Sequence, residues 1–320
     1  MVIFLRVCTC TRSKGCTSPH PGIERDVTAN PRNEEPPPSV VALVGAPRSG
    51  STAIAEMLAH DVNGVHVGEL HLIFDRLNDP SRLCGCGVPV AECEFWAPTW
   101  QRVLDSGAVG SLDEALALYD GTARFRAAVR ASEAERARFG KLMAAIYAAI
   151  AIESGNRLIV DSSKHPMYFR AVQSETQLAV FHLVRDPRGV AYSWSIAKPD
   201  PDKPGGKMEK RSPVVVALEW LAINGLAEVV TRSSDIAIRK RLEQLVDEGL
   251  EPTIRSLKLS PLESSTPFSH TVAGNPLRHD AQPKTLTSDD RWIHQMARSD
   301  RLVVSAIATP LLHRMGYSYG

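Results

Sequence analysis

The sequence predicts an α/β fold, a P-loop-like parallel β-sheet flanked by helices. Three observations predict it. Short, unbroken apolar runs alternate with longer helical stretches, the pattern of strands buried on both faces. The first such run leads directly into a glycine-bounded loop and then a helix, and no internal repeat interrupts the order. Residues 40–44 form the first strand, 45–50 a turn and 52–60 a helix. Residues 61–67 give a second strand, with Val65 and Val67 alternating around His66. The stretch 112–153 is rich in Ala, Leu, Glu and Arg and reads as helical. Residues 157–160 and 178–184 are the third and fourth strands, each ending at a polar cluster. The proline-rich stretch 198–213 is a loop, 214–231 a helix, and 236–262 is helical in pattern with a break near Gly249. A final helical segment, 291–315, closes the domain.

Bulk properties narrow the function. The chain has 320 residues, 43% hydrophobic and 23% charged, and can build a sizeable core. With Lys+Arg 37 against Asp+Glu 36, no global field draws it to nucleic acid or anionic lipid, so any anion site must be local. No apolar stretch approaches the roughly eighteen residues that span a bilayer, and no signal-peptide cleavage site follows Met1. A cytoplasmic protein is expected. Residues 1–38, aperiodic and ending in three prolines, are expected to be a disordered leader, and 39–320 the folded domain. Six cysteines, Cys8, Cys10 and Cys16, then Cys84, Cys86 and Cys93, do not make a secreted disulfide scaffold.

The most informative stretch is Gly45-Ala46-Pro47-Arg48-Ser49-Gly50-Ser51-Thr52. Glycines let the chain turn tightly so that consecutive N–H groups share one concavity, and the following helix adds its unpaired amides and positive dipole end. The alternative is a plain Gly/Ser turn. The Gly45-x4-Gly50 spacing imitates a nucleoside-triphosphate loop, but Ser51 stands where that motif requires lysine. The cation is Arg48, whose guanidinium suits a 5′-phosphosulfate.

On these residues the chain resembles the sulfotransferases that use 3′-phosphoadenosine 5′-phosphosulfate (PAPS), specifically bacterial relatives of the carbohydrate sulfotransferases. The loop 45–52 is similar to the family's 5′-phosphosulfate loop, which implicates Arg48, Ser49, Gly50, Ser51 and Thr52. Leu183-Val184-Arg185-Asp186-Pro187-Arg188 with Ser193 resembles its 3′-phosphate motif, an arginine and a serine eight positions later. The segments from Cys84 to Trp96, Asp161-Ser162-Ser163-Lys164-His165-Pro166, and Gly274-Asn275-Pro276-Leu277-Arg278 match one subset, and the last implies that Arg278 returns to the 3′-phosphate. The family's Arg-Tyr-Glu-Asp-Leu is reduced here to Arg241-Leu242-Glu243-Gln244-Leu245, which puts the strand it belongs to in doubt.

The resemblance implies sulfuryl transfer from PAPS to a hydroxyl of a carbohydrate, lipid or other small-molecule acceptor, leaving 3′-phosphoadenosine 5′-phosphate (PAP). The leaving phosphate departs readily, so the chemistry needs positioning and electrostatics and no metal is assigned. Arg48 and Lys164 are the expected stabilisers of the leaving group. Glu69 is the expected general base; His165 is its competitor, expected to be a packing residue, as His66 and His71 are expected to be structural or acceptor-lining. Trp220 and Asn224, on one helix face, read as core. Cys84, Cys86 and Cys93 offer three soft ligands at a spacing tight for zinc, and a redox-sensitive disulfide or simple packing is preferred. The loop 198–213 is an acceptor lid or a solvated loop. A P-loop kinase and an inactive nucleotide-binding relative remain the alternatives.

Overall fold

The computed structural model describes residues 39–197, 209–262, 268–273 and 286–319. Five strands pair in the order β2-β3-β1-β4-β5: β1 Ser39–Val44, β2 Val65–Gly68, β3 Leu158–Lys164, β4 Leu178–Val184 and β5 Ile236–Arg241. All four pairings are parallel, so every strand ends at the same edge of the sheet. The apolar run of β1 is explained by its central place. Val40, Ala42 and Val44 enter the core on one face of the sheet, and Val41 and Leu43 the core on the other.

Helix α1 (Ser51–Asp61) carries the chain from β1 leftward to β2 and packs on the second of these cores. Between β2 and β3 lie α2 (Ile73–Asn78), α3 (Trp96–Asp105), α4 (Leu112–Thr122), α5 (Phe125–Ala128) and α6 (Glu133–Ser154). The predicted helical stretch 112–153 is thus three helices. Its last break is a capping box, in which Ser132 accepts from the Glu135 N–H and the Glu135 carboxylate accepts from the Ser132 N–H. Helix α7 (Pro166–Val172) leads rightward from β3 to β4, and α8 (Pro187–Ser195) and α9 (Pro213–Arg232) follow β4. The chain leaves β1 leftward and its neighbour β4 rightward, so the topological switch point, where open α/β sheets bind ligands beyond their carboxyl ends, lies between these two strands.

Several boundaries differ from expectation, and β3 runs on past Val160 to Lys164. Residues 61–64 finish α1 and its turn, and the second strand begins only at Val65. More substantially, 236–241 is the edge strand β5 and not helix, followed by α10 (Leu242–Glu248) and α11 (Glu251–Ser256), with the predicted break at Gly249. Ile236 and Ile238 pack inward while Ala237 and Arg239 face out, a period of two. The strand runs into α10 with no glycine or proline between them. Gln244 reaches back to accept from the Arg241 N–H at 3.1 Å, so strand end and helix start share one residue. The doubtful strand is therefore present although its tyrosine and aspartate are not.

The C-terminal segment splits into α12 (Arg291–Gln295) and α13 (Arg298–Leu312), and α13 packs on α8 and α9. Helix α9 corrects the reading of apolar length, since by length and composition it could cross a membrane. Here it packs one face into the protein and leaves Val214, Val215, Leu218 and Val229 exposed. Ala217, Trp220, Asn224 and Ala227 are buried, and Glu228 on the same helix holds Arg239 of β5 and Arg314.

The sharpest packing constraint lies where β1 leaves the sheet. Gly45 has φ +144°, and a Cβ there would sit 2.1 Å from the Leu183 carbonyl oxygen of β4. Gly121, near the end of α4, has open space around it. Gly45→Ala should therefore cost about 3 kcal/mol or more through strain and clash. Gly121→Ala should be neutral or stabilise by about 0.5–1 kcal/mol through helix propensity. Urea unfolding midpoints of the two variants check the contrast.

Candidate functional site

The strand ends deliver the candidate residues to one edge. The loop after β1 carries Arg48 and Ser49, and Gly50 is the first residue outside α1, in the left-handed conformation at φ +83°. No side chain caps α1 and no acidic residue occupies its first turn, so its amino terminus keeps its anion-attracting character. Ser51 and Thr52, the first residues of that turn, are buried. The Ser49 hydroxyl is buried and meets no hydrogen-bond partner among the described residues. A buried hydroxyl of this kind calls for a polar ligand. Arg48 itself is held at φ +68°, a strained value for a non-glycine residue, with its guanidinium stacked 4.7 Å over the Trp194 ring.

At the end of β4, Arg185 is 8% exposed. Its guanidinium donates to the Arg48 carbonyl at 3.0 Å and to the Asp289 carbonyl at 3.3 Å. Among the described residues no carboxylate pairs with it. Burial lowers its pKa, against which Asp289, then Glu243, Tyr317 and Asp186, act from a distance. A buried cation bound only to carbonyls is a ready partner for an anion. Its main chain is fixed from behind: the Trp220 indole donates to the Arg185 carbonyl at 2.9 Å, while Asn224 bonds His182 at 2.9 Å. Trp220 and Asn224 are core residues, as expected, but core that aims Arg185. Arg188 is engaged differently, by both oxygens of Asp186 and by the Trp292 ring at 4.7 Å. Ser193 is buried on α8. Arg278 and the segment around it lie outside the described residues, as do the cysteines at 8, 10 and 16 and most of the loop 198–213.

Glu69 and Lys164 are brought together. The Lys164 ammonium donates to the Glu69 carboxylate at 2.5 Å, with side-chain exposures of 12% and 18%. Glu69 leaves β2, its N–H donating to the Val272 carbonyl at 2.7 Å, and Lys164 leaves β3 at φ +65°. Arg48 lies within electrostatic range of Glu69, which offsets part of the lowering that burial imposes on its pKa. The site is thus a carboxylate with two cations nearby.

The polar residues preceding Lys164 are structural. Asp161 accepts from Tyr147 at 2.7 Å, from Tyr168 at 3.1 Å and from the Ser163 N–H at 2.8 Å. Ser162 donates to the Gly68 carbonyl at 3.1 Å and bonds His66 at 2.9 Å, and Ser163 accepts from the His71 N–H at 3.0 Å. Together they lash the turn around Glu69 to β3. His165 caps α7: its Nδ1 accepts from the Tyr168 N–H at 3.2 Å. A neutral ring in that arrangement carries its proton on Nε2, so neither nitrogen is poised to take one. Burial pushes the His165 pKa down to about 4 and, with some help from Lys164, the His66 pKa down to about 3.

Three contributors were not foreseen in the sequence. Trp194 meets both Arg48 and Arg211, whose guanidinium lies 5.2 Å from its ring centre. The Asp289 carbonyl and Trp292 arrive from a segment about a hundred residues downstream, and no periodicity or motif marks them.

No family model matches the chain, and no curated protein matches it. Among solved structures the chain is similar to the sulfotransferase domain from the curacin biosynthetic pathway, at 17% identity over 88% of this chain and 99% of that one, with a TM-score of 0.48. It is also similar to the sulfotransferase domain from the Synechococcus PCC 7002 olefin synthase, at 16% identity over 87% of this chain and 96% of that one, with a TM-score of 0.47.

The buried imidazoles predict an acid-labile fold. His66, His165 and His182 sit at pKa values of about 3, 4 and 4 when folded, below the ordinary value of about 6.5 in the unfolded chain. Their stabilisation is complete above about pH 6.5 and is lost as pH falls toward 4, because the unfolded chain then binds more protons. Asp161, raised by burial to about 6, acts in the opposite sense over the same range, but as one group against three. Thermal unfolding from pH 7 to 4 should show a falling Tm, and the slope should lessen in His182→Gln.

Proposed function

We propose that this chain transfers a sulfuryl group from PAPS to a hydroxyl of an acceptor molecule, releasing PAP. One observation carries the proposal: two anion-receptive features, the uncapped amino terminus of α1 and the buried Arg185, which has no carboxylate partner among the described residues, meet at one sheet edge and are joined by the Arg185–Arg48 carbonyl bond. A nucleotide with phosphates at both its 5′ and 3′ positions matches two such features. In this reading the loop amides with Arg48, Ser49, Gly50, Ser51 and Thr52 hold the 5′-phosphosulfate, and Arg185, Ser193 and Arg278 hold the 3′-phosphate. Ser51 in place of a P-loop lysine makes a nucleoside-triphosphate γ-phosphate the poorer fit.

The chemistry assigned to the chain is an in-line displacement. The acceptor oxygen forms its bond to sulfur, the bond from sulfur to the 5′-phosphate oxygen breaks, and PAP leaves with the electron pair. Glu69 takes the acceptor's proton. Its carboxylate is paired with the Lys164 ammonium, and Lys164 and Arg48 are the cations placed near the departing phosphate. His165, committed to capping α7, is the weaker candidate for the base. The acceptor is a small molecule, glycan or lipid bearing a hydroxyl, and a cytoplasmic location suits the donor.

PAP should raise the Tm without added metal, and more than AMP does, since binding to the folded state alone is stabilising. Arg185→Ala should abolish most of that difference, because only PAP carries the 3′-phosphate; equal melting shifts for AMP and PAP in the unaltered chain would remove the basis for a two-phosphate site. A larger Mg²⁺-dependent shift with ATP would indicate a kinase instead.

Glu69→Gln should lower turnover of labelled PAPS on a pooled acceptor library by roughly two to four orders of magnitude. Its PAP-induced Tm shift should stay close to that of the parent chain. His165→Ala should lose far less turnover, and the reverse ranking of the two variants would move the base to the histidine.

A further inference from the structure

The cysteine segment, which the sulfuryl-transfer reading does not use, acquires a fourth member in the fold. Cys84, Cys86, Cys93 and His270 bring their ligand atoms within 4.8 Å of one another. The Cys93 sulfur lies 3.6 Å from that of Cys84, 3.7 Å from that of Cys86 and 3.3 Å from Nδ1 of His270. A tetrahedral zinc with bonds of about 2.3 Å to sulfur and about 2.0 Å to nitrogen separates its ligands by roughly 3.8 Å (S to S) and 3.5 Å (S to N). The three spacings from Cys93 match those edges, and the remaining three lie within 4.8 Å. A disulfide needs sulfurs about 2.05 Å apart and can pair only two of three thiols. We propose that Cys84, Cys86, Cys93 and His270 form a structural Cys3His zinc site.

The surroundings suit a closed, structural site. Cys84 and Cys93 are buried, His270 is half-buried, and the exposed Cys86 leaves a path for the ion. The main-chain N–H groups of Phe95 and Trp96 lie against the Cys93 sulfur. The far nitrogen of His270 is 3.9 Å from the Glu94 carboxylate, and its ring stacks on Phe95 at 5.4 Å. Glu94 thus stands near the ring nitrogen that an outer hydrogen-bond partner would engage. A tight turn presents the first two cysteines, with the Gly87 N–H donating to the Cys84 carbonyl at 2.9 Å. Four protein ligands leave no open coordination position, which assigns the ion to architecture and not to catalysis.

The role follows from what the site ties together. His270 is 177 positions from Cys93. Beside it, the Gly85 N–H donates to the Thr271 carbonyl at 2.9 Å, the Val272 N–H to the Val67 carbonyl at 2.9 Å, and the Glu69 N–H to the Val272 carbonyl at 2.7 Å. Gly68, with φ +80°, allows this approach, since a Cβ there would stand 2.3 Å from the Val272 oxygen. Zinc would therefore staple the segment 268–273 to the cysteine turn and, through Val272, hold the main chain of Glu69. The proposal is independent of the sulfuryl-transfer reading, and either can fail alone.

The test is metal analysis of the full chain, purified reduced and without a histidine tag. About one zinc per chain is expected, as four protein ligands of this type imply. Cys86→Ser and His270→Ala should lose most of it, His270→Cys should keep it, and a Cys8/Cys10/Cys16→Ser triple variant should keep it. Cobalt substitution should give thiolate-to-metal absorption that Cys93→Ser removes. Chelation of the unaltered chain should lower its Tm, and added zinc should restore it, which guards against variants that merely misfold. Absence of stoichiometric metal, zinc that follows Cys8, Cys10 and Cys16, or an intact mass showing a disulfide among Cys84, Cys86 and Cys93 would each overturn the site.

Discussion

Parallel pairing is the constraint on which the rest depends. Because all five strands run the same way, the residues that follow each strand emerge at one edge: Arg48 after β1, Glu69 after β2, Lys164 closing β3, Arg185 after β4. The connections that leave β1 and β4 run in opposite directions, which puts the topological switch point between those two neighbouring strands. The close approach of Gly45 to the Leu183 carbonyl sets the loop after β1 against the end of β4. Arg185 can then reach the carbonyl of Arg48.

Around this edge, buried polar residues serve two purposes. Asp161, Ser162 and Ser163 are spent on partners within the protein and lock the β2 turn to β3. Ser49 and Arg185 instead keep unused capacity toward an anion. The distinction separates scaffold from site more sharply than residue type does. Four consecutive polar residues, Asp161 to Lys164, look alike in the sequence, yet only Lys164 turns to a candidate catalytic group.

The late segment 268–273 adds a second layer of support. It inserts beside β2, bonds Val67 and Glu69 through Val272, and brings His270 to the cysteine turn. Phe268, Val272 and Ala273 anchor it in the core, but closing a loop of this length costs entropy. A metal ligand among its residues would offset that cost, in the way structural zinc contributes directly to folding in other small elements.

Local sequence determined those features whose signal lies within a few residues: the apolar runs of β1 and β4, the glycine-bounded loop, the helix after it, and Arg185 at a strand end. Each depends on short-range geometry, the turn a glycine permits or the burial a hydrophobic run demands, and so is written into consecutive residues. Edge strand β5 escaped because two inward isoleucines in six residues are too weak a period, and Arg241 joins strand to helix without a breaker. The pairing of Glu69 with Lys164, the burial of the Ser49 hydroxyl, the two arginines over Trp194 and the arrival of His270 were decided by tertiary structure alone. Their partners are separated by as many as 177 positions, and only the packing of helices on the two faces of the sheet sets which distant side chains meet.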